Sequence, residues 1–265
     1  MEILGIDAEW LALGAAALVF ALLALAEVLA PHRASGLPRM QRWPTNLALF
    51  VLDTALVRLA IPLLMVGAAA LASAQGWGLF NRTDWPLWLE FALTLLALDL
   101  ALYFQHWATH RVPLLWRMHK VHHSDPDFDV TTAARFHPVE IMLSMLYKMA
   151  VVVALGPMVL AVFVFELVFT LATLFTHANI GLPARADQAV RTLIVTPDMH
   201  RIHHSSREAE TNSNYGTMLS AWDRLFGTYV RESERGREGI TIGLDAYQDG
   251  RPARLGWSLL LPLRK

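Results

Sequence analysis

Cysteine is absent from all 265 residues. That single absence excludes disulfides, thiolate metal sites, haem-thiolate chemistry and cysteine nucleophiles. Charge is scarce as well: Asp, Glu, Lys and Arg make up 17% of the chain, with a formal net charge of −1. No basic stripe interleaved with aromatics runs through it, so no nucleic-acid partner is expected. No G-x-G-x-x-G element is present for a dinucleotide or flavin. What fills the space is apolar. Hydrophobic residues reach 55%, above the level of ordinary soluble domains.

The apolar residues fall in long runs. A bilayer-spanning helix needs roughly 20 of them, and five spans are predicted, at 10–30, 47–72, 87–105, 140–156 and 158–177, with a fold-back at Gly156-Pro157. A soluble helical bundle would show a polar face on each helix, which these runs lack. The first span has an acidic flank (Glu2, Asp7, Glu9) and no basic leader, so it reads as a retained anchor and not a signal peptide. Arg33, Arg39, Arg42, Arg111, Arg117, Lys120 and Arg135 lie on one side, against Arg82 on the other. Positive-inside sorting then places the amino terminus outside and the polar segments after spans one, three and five in the cytoplasm. Asp53, Arg58 and Glu166 sit at membrane depth and are expected to pair with one another. Trp77, Trp85 and Trp88 read as an interfacial belt, and residues 255–263 as a surface-lying segment too short to cross.

Three histidine runs stand against this background: His106-x-x-x-His110, His119-x-x-His122-His123 and His200-x-x-His203-His204. Residues three and four apart share one face of a helix, so each run offers a row of imidazoles, as a metal centre requires. Eight imidazoles exceed the needs of one ion. Two ions, each with four or five nitrogen ligands and an open position, is the economical reading. Zinc-protease chemistry needs a glutamate beside the first histidine, but the neighbours here are Trp107, Lys120 and Arg201. Ligand type alone does not name the metal.

The motifs extend well beyond the histidines. They include Trp116-Arg117-Met118-His119-Lys120-Val121-His122-His123-Ser124, Thr131–Glu140 with Arg135-Phe136-His137-Pro138, and Phe175-Thr176-His177-Ala178-Asn179. They continue through Thr196–Ser205, Asn212-Ser213-Asn214-Tyr215-Gly216 and Trp222–Tyr229. The chain thereby resembles the fatty acid hydroxylase superfamily, in its sterol desaturase-like bacterial branch, over about residues 85–230. The resemblance implies an all-α, integral-membrane helical bundle of about four to five spans, with a cytoplasmic helical cap carrying a histidine-rich dimetal site. It implies a single domain over 1–265: amino-terminal spans in 1–84, the histidine-motif core in 85–230 and a cytoplasmic or interfacial tail in 231–265. The implied activity is lipid hydroxylation or desaturation by a non-haem di-iron centre. The co-substrate is O2, the lipid (fatty acyl, sterol-like or other isoprenoid) arrives from the bilayer, and a separate donor protein (ferredoxin, cytochrome or reductase) supplies electrons. Zinc is a possible replacement for iron in purified samples.

The resemblance carries His106, His110, His119, His122, His123, His200, His203 and His204 over as iron ligands, and places His177 as an added one. His137 is either a further ligand or a residue at the start of a helix, bonded to nearby backbone or to Glu140. His32 reads as a bystander. Outer partners for the ligating imidazoles are sought among Asp99, Glu140, Asn179, Asp198 and Asp223, each of which could equally cap a helix or pair with an arginine. No catalytic residue is assigned beyond the metal ligands. The competing class is a non-catalytic metal-binding membrane protein or transporter, whose ligands should lie near the bilayer midplane and not at its edge.

Overall fold

The computed structural model describes residues 2–3 and 6–264, and the side chains from Ala8 to Arg264. The acidic flank at Glu2 and Asp7 and the sidedness expected of the terminal residue therefore lie outside the described side chains. The first four long helices are α1 (Ala8–Leu29), α2 (Arg39–Ala60), α3 (Met65–Gln75) and α4 (Leu87–Arg111). Next come α5 (Pro113–His123), α6 (Pro138–Leu155) and α7 (Val159–His177). The polar remainder carries short helices: α8 (Ala184–Val190), α9 (Pro197–His203), α10 (Glu208–Thr211), α11 (Ala221–Leu225), α12 (Gly236–Gly239) and α13 (Leu255–Leu260). Apart from a pair of two-residue strands at the amino terminus, the regular structure is helical. Among the described residues five segments are long and apolar enough to cross a bilayer, so the chain is a multi-pass membrane protein.

The predicted second span, 47–72, is not one helix. The helix begins at Arg39, stops after Ala60, and resumes at Met65. Pro62 explains the break. It has no N–H to donate and forces the preceding residue out of the helical region; Ile61 has φ −121 and ψ 96. The fold-back between spans four and five lies where expected, with Gly156 left-handed at φ 62, a conformation that favours glycine.

Two sets of contacts define the two ends of the bundle. At one, the Leu79 N–H donates to the Ala154 carbonyl at 3.0 Å and the Met158 N–H to Glu90 Oε1 at 2.7 Å. At the other, the His32 N–H donates to the Asn179 carbonyl at 2.9 Å, and all three histidine runs lie there. Between the ends, Met65, Leu98, Leu102, Val152, Val162 and Phe165 form the largest buried apolar cluster. Residues 255–263 do not simply rest on a surface. Trp257 and Leu261 pack with Leu49 and Val121, wedging the carboxy-terminal helix against α2 and α5.

The expected mutual pairing of Asp53, Arg58 and Glu166 is not formed. Arg58 pairs with Glu9, Glu166 interacts with Lys148, and Asp53 faces an internal cavity. Helix geometry separates them: α2 turns Arg58 toward α1, while Asp53 points inward.

The histidine end is locked by a buried charge network. Arg42, 1% exposed, donates through Nε and Nη2 to both oxygens of Asp125 at 2.7 and 2.8 Å, and through Nη1 to Asp129 at 2.7 Å. Asn46, one turn further along α2, donates to Asp125 and to Thr131 at 3.0 Å each. Burial alone would raise the Asp125 carboxyl, but the Arg42 guanidinium outweighs it and holds the group below the usual carboxylate range. Removing one partner of such a network strands the others in a dry interior, at about 3–5 kcal/mol. Arg42→Ala is therefore expected to lower the unfolding temperature in detergent strongly, while Arg39→Ala, on the partly exposed flank, shifts it little. Equal shifts for the two would contradict the reading.

Candidate metal centre

Nine histidines converge at this end. Helix α4 brings His106 and His110 on successive turns. Pro113, at the first turn of α5, restarts the chain in a new direction and returns His119, His122 and His123 beside them. Thr196 caps α9 by accepting the Met199 N–H, which delivers His200, His203 and His204. His177 is the last residue of α7.

The nine fall into two groups, each able to hold a metal ion: His106, His110, His119, His123 and His203 in one, and His122, His177, His200 and His204 in the other. Within each group the available ligand atoms lie within 4.8 Å of one another. The division cuts across the sequence motifs. In each H-x-x-H-H run the residues four apart go to one group and the middle histidine crosses to the other. On a helix, i and i+4 are offset by about 40° and i+3 lies to the opposite side of i, by about 60°. The two runs are thus used reciprocally: α5 gives two ligand atoms to the first group and one to the second, and the α9 run does the reverse.

The tautomers are fixed from outside. Four Nδ1–H groups donate to backbone carbonyls: His106 to Tyr215 (2.7 Å), His122 to Arg135 (3.1 Å), His177 to Thr173 (2.8 Å) and His203 to Ser213 (2.7 Å). The His119 Nδ1–H donates to Glu140 Oε1 at 2.6 Å. Each of these rings, when neutral, carries its lone pair on Nε2. Nε2 of His110, His119, His123, His203 and His204 is buried without a partner among the described residues. More telling, the Nε2 atoms of His122 and His177 face each other at 3.2 Å, and both are acceptors. Two lone pairs at that range repel unless a cation lies between them. Around an ion bound at about 2.1 Å, adjacent nitrogens stand about 3 Å apart, so this donor set fits a metal.

Burial, with the neighbouring imidazoles reinforcing it, pushes His122, His123, His200 and His204 well below the usual imidazole range. Burial likewise takes His203 down to about 3 against the opposing pull of the Ser213 carbonyl. These rings therefore stay neutral at pH 7, the form that coordinates.

Of the expected outer partners, Glu140 alone bonds a histidine of the two groups among the described residues. Asp99 accepts from the Leu219 N–H and Trp222 Nε1 instead. Asn179 ties to both backbone groups of Arg33. Asp198 pairs with Arg201 and Arg237 and lies 3.6 Å from His32 Nε2, because its place in the first turn of α9 points it away from the histidine face. Asp223 accepts the Tyr215 and Gly216 N–H groups at 2.8 and 2.9 Å. It steadies the loop whose carbonyls hold His106 and His203. His137 stays outside both groups: it caps α6, Nδ1 accepting from the Val139 N–H and Nε2–H donating to the Leu259 carbonyl. With both nitrogens engaged, it has no lone pair to offer a metal.

Sequence reasoning missed Arg135, Thr173, Ser213 and Tyr215 as partners. Their contribution is a carbonyl oxygen, which leaves no side-chain signature. Arg135 also anchors its own carbonyl, donating from its guanidinium to Val121 O, Asn46, Ser124 and Ser258.

A cavity of about 540 Å³ opens from the histidines toward the bundle interior. His106, His119, His122 and His177 form its head, while Phe50, Val57, Leu64, Met145 and Phe169 line its deeper wall.

Comparison with known proteins agrees with this geometry. The profile of the fatty acid hydroxylase family matches residues 91–228. Alkylglycerol monooxygenase from Xenopus tropicalis is 31% identical over 171 residues, 63% of this chain and 35% of that protein. Ornithine lipid hydroxylase OlsE from Rhizobium tropici is 31% identical over 150 residues, 57% of this chain and 44% of the relative. Delta(7)-sterol 5(6)-desaturase ERG3A from Gibberella zeae is 28% identical over 183 residues, 64% and 48% of the two chains. The matches thus cover less than half of each relative's length. No solved structure gives a significant match.

Two outcomes follow for the metal centre. Losing the partner of a ligating imidazole costs about 10–100-fold in metal affinity. Glu140→Gln should therefore weaken binding in a metal titration by that margin, while His137→Ala leaves stoichiometry and affinity unchanged. The second concerns pH. In the unfolded chain the buried imidazoles titrate near 6.5, and in the folded one far lower, so the unfolded state binds more protons below that value. Stability of the metal-free protein is complete above about pH 6.5 and is lost progressively as pH falls toward 3. Unfolding temperatures measured from pH 7.5 to 4.5 after chelation should drop steadily below pH 6.5, and a flat profile would contradict the burial of neutral rings.

Proposed function

The chain belongs to the fatty acid hydroxylase family, and from that premise we propose that it is a membrane-bound non-haem di-iron oxygenase that hydroxylates or desaturates a lipid. His106, His110, His119, His123 and His203 hold one iron; His122, His177, His200 and His204 hold the other. When bound, the irons supply O2-dependent oxidation of a C–H bond, with electrons from a separate donor protein. The protein's own residues do the rest. The Tyr215, Arg135, Thr173 and Ser213 carbonyls and the Glu140 carboxylate keep five rings in the coordinating tautomer and orientation. The apolar walls around Phe50, Val57, Met145 and Phe169 hold an alkyl chain and exclude water from the histidine end.

The single observation behind this reading is the join between the two features: unprotonated, mutually facing imidazole nitrogens form the head of a cavity that reaches into the bilayer-spanning helices. The relatives named above, an alkylglycerol monooxygenase, an ornithine lipid hydroxylase and a sterol desaturase, share a lipid substrate. The metal centre faces the cytoplasm of a bacterial inner membrane, with the amino terminus outside. The arginines at 33, 39, 42, 111, 117 and 135, set against Arg82 at the opposite end, favour that orientation.

Protein purified without oxygen and loaded with iron should consume O2 in the presence of reductant, a donor protein and a lipid extract, and yield an oxidised lipid. His122→Ala and His203→Ala each remove a ligand from a different group and should both fall to background turnover while inserting normally into membranes. Wild-type turnover in either variant would overturn the assignment. Tightly held zinc does not count against it, because imidazole sites take zinc over iron on affinity.

A further inference from the structure

An alkyl-chain cavity needs no polar atoms, yet three oxygen acceptors on this wall have no partner. Asp53 Oδ1, Gln105 Oε1 and Glu140 Oε2 are each buried and unbonded among the described residues, and all three side chains line the cavity. Asp53 is only 6% exposed. It sits on α2 seven residues beyond Asn46, which is bonded into the cap, hence about 10 Å deeper along the helix axis. It is close enough to Glu140 for the two carboxyl groups to influence each other. The other oxygen of Glu140 is occupied by His119.

The cations lining the same wall are committed elsewhere. Arg58 pairs with Glu9. Lys148, two turns beyond Glu140 on α6, interacts with Glu166 and stands 5.8 Å from the Phe169 ring. An ionisable side chain inside a bilayer-spanning bundle marks a site of function by default. Three buried acceptors lining one cavity call for donors that the described residues do not provide.

We propose that Asp53, Gln105 and Glu140 form a recognition site for the polar end of the substrate, with Asp53 as the specificity-determining contact. The substrate class is a lipid carrying a hydroxyl or ammonium donor, and not a plain hydrocarbon or an acceptor-only ether. This rests on the oxygenase reading and deepens it. One oxygen of Glu140 holds His119 while its other faces the donor, so the polar head is held next to the histidines. The oxidised carbon then lies near the polar end of the lipid.

Three probes of equal chain length test the site: octadecanol, octadecylamine and methyl octadecyl ether, bound to the full-length protein in nanodiscs by competition against a fluorescent lipid. Wild type should bind the alcohol or the amine at least about tenfold tighter than the ether, the worth of one charge-assisted hydrogen bond. Asp53→Leu should erase that preference without weakening the ether. Asp53→Asn, which keeps the size and the carbonyl oxygen, should retain a preference for the alcohol and lose any for the amine. Unchanged helix content and ether affinity report that the variants are folded, and if the leucine variant is not, the asparagine variant carries the test through the amine. Equal binding of all three probes by wild type, or an undiminished preference in both variants, would overturn the proposal. Oxygen uptake on the iron-loaded samples separates the two ideas. A head-group preference without lipid-dependent uptake counts against the oxygenase, and uptake without a preference counts against the recognition site.

Discussion

Nitrogen lone pairs directed at one another in a buried space are the constraint on which this molecule is built. Carbonyls of Tyr215, Arg135, Thr173 and Ser213 fix the protons of four rings on the outward nitrogen, so the inward nitrogens cannot satisfy each other. A soluble site could relieve such repulsion by admitting water or protonating a ring. Here burial makes protonation costly, as the low value of about 3 for His203 reflects. A cation would relieve the repulsion, and the nine histidines form two groups that could each hold one.

Holding that arrangement requires rigidity from parts of the chain that never touch a metal. Arg42 clamps α2 to Asp125 and Asp129, and Asn46 extends the clamp to Arg135. Arg135 in turn fixes the carbonyl that orients His122. Asp223 does the same for the loop of Tyr215. Even α1, mostly facing outward, is pinned to the site by Glu27, which accepts the N–H groups of Val130 and Asn179 at 2.8 and 2.7 Å. The side-chain clamps are charge-assisted hydrogen bonds made in a low-dielectric interior, where each is strong and each broken one is costly. Stability and function therefore share one network: loosening the clamp loosens the ligands.

Much of this is legible in the sequence, unevenly. Apolar length gives the spans, and the turn at Gly156 is visible as a Gly-Pro pair. Pro62 lies inside the apolar run read as one span, 47–72, and apolar length alone does not mark the helix end it imposes after Ala60. The histidine motifs announce a metal centre, but spacing suggests that each run faces one way. Only the three-dimensional convergence shows that His122 and His203 cross to the opposite group. His137 has the same composition-level appeal as His177 and lies outside, because its nitrogens cap α6 and meet Leu259. The acidic residues fared worst: Asp99, Asp198 and Asp223 brace loops, while backbone carbonyls, which carry no letter of their own, orient most of the rings.

The most direct test of the paired-cation claim is X-ray absorption at the iron edge on the iron-loaded, unreacted protein, with iron counted on the same sample. The expected result is two irons per chain, each surrounded by four to five imidazole nitrogens with the outer-ring scattering that imidazole gives. A single iron per chain, or a shell dominated by oxygen with no imidazole scattering, would contradict it.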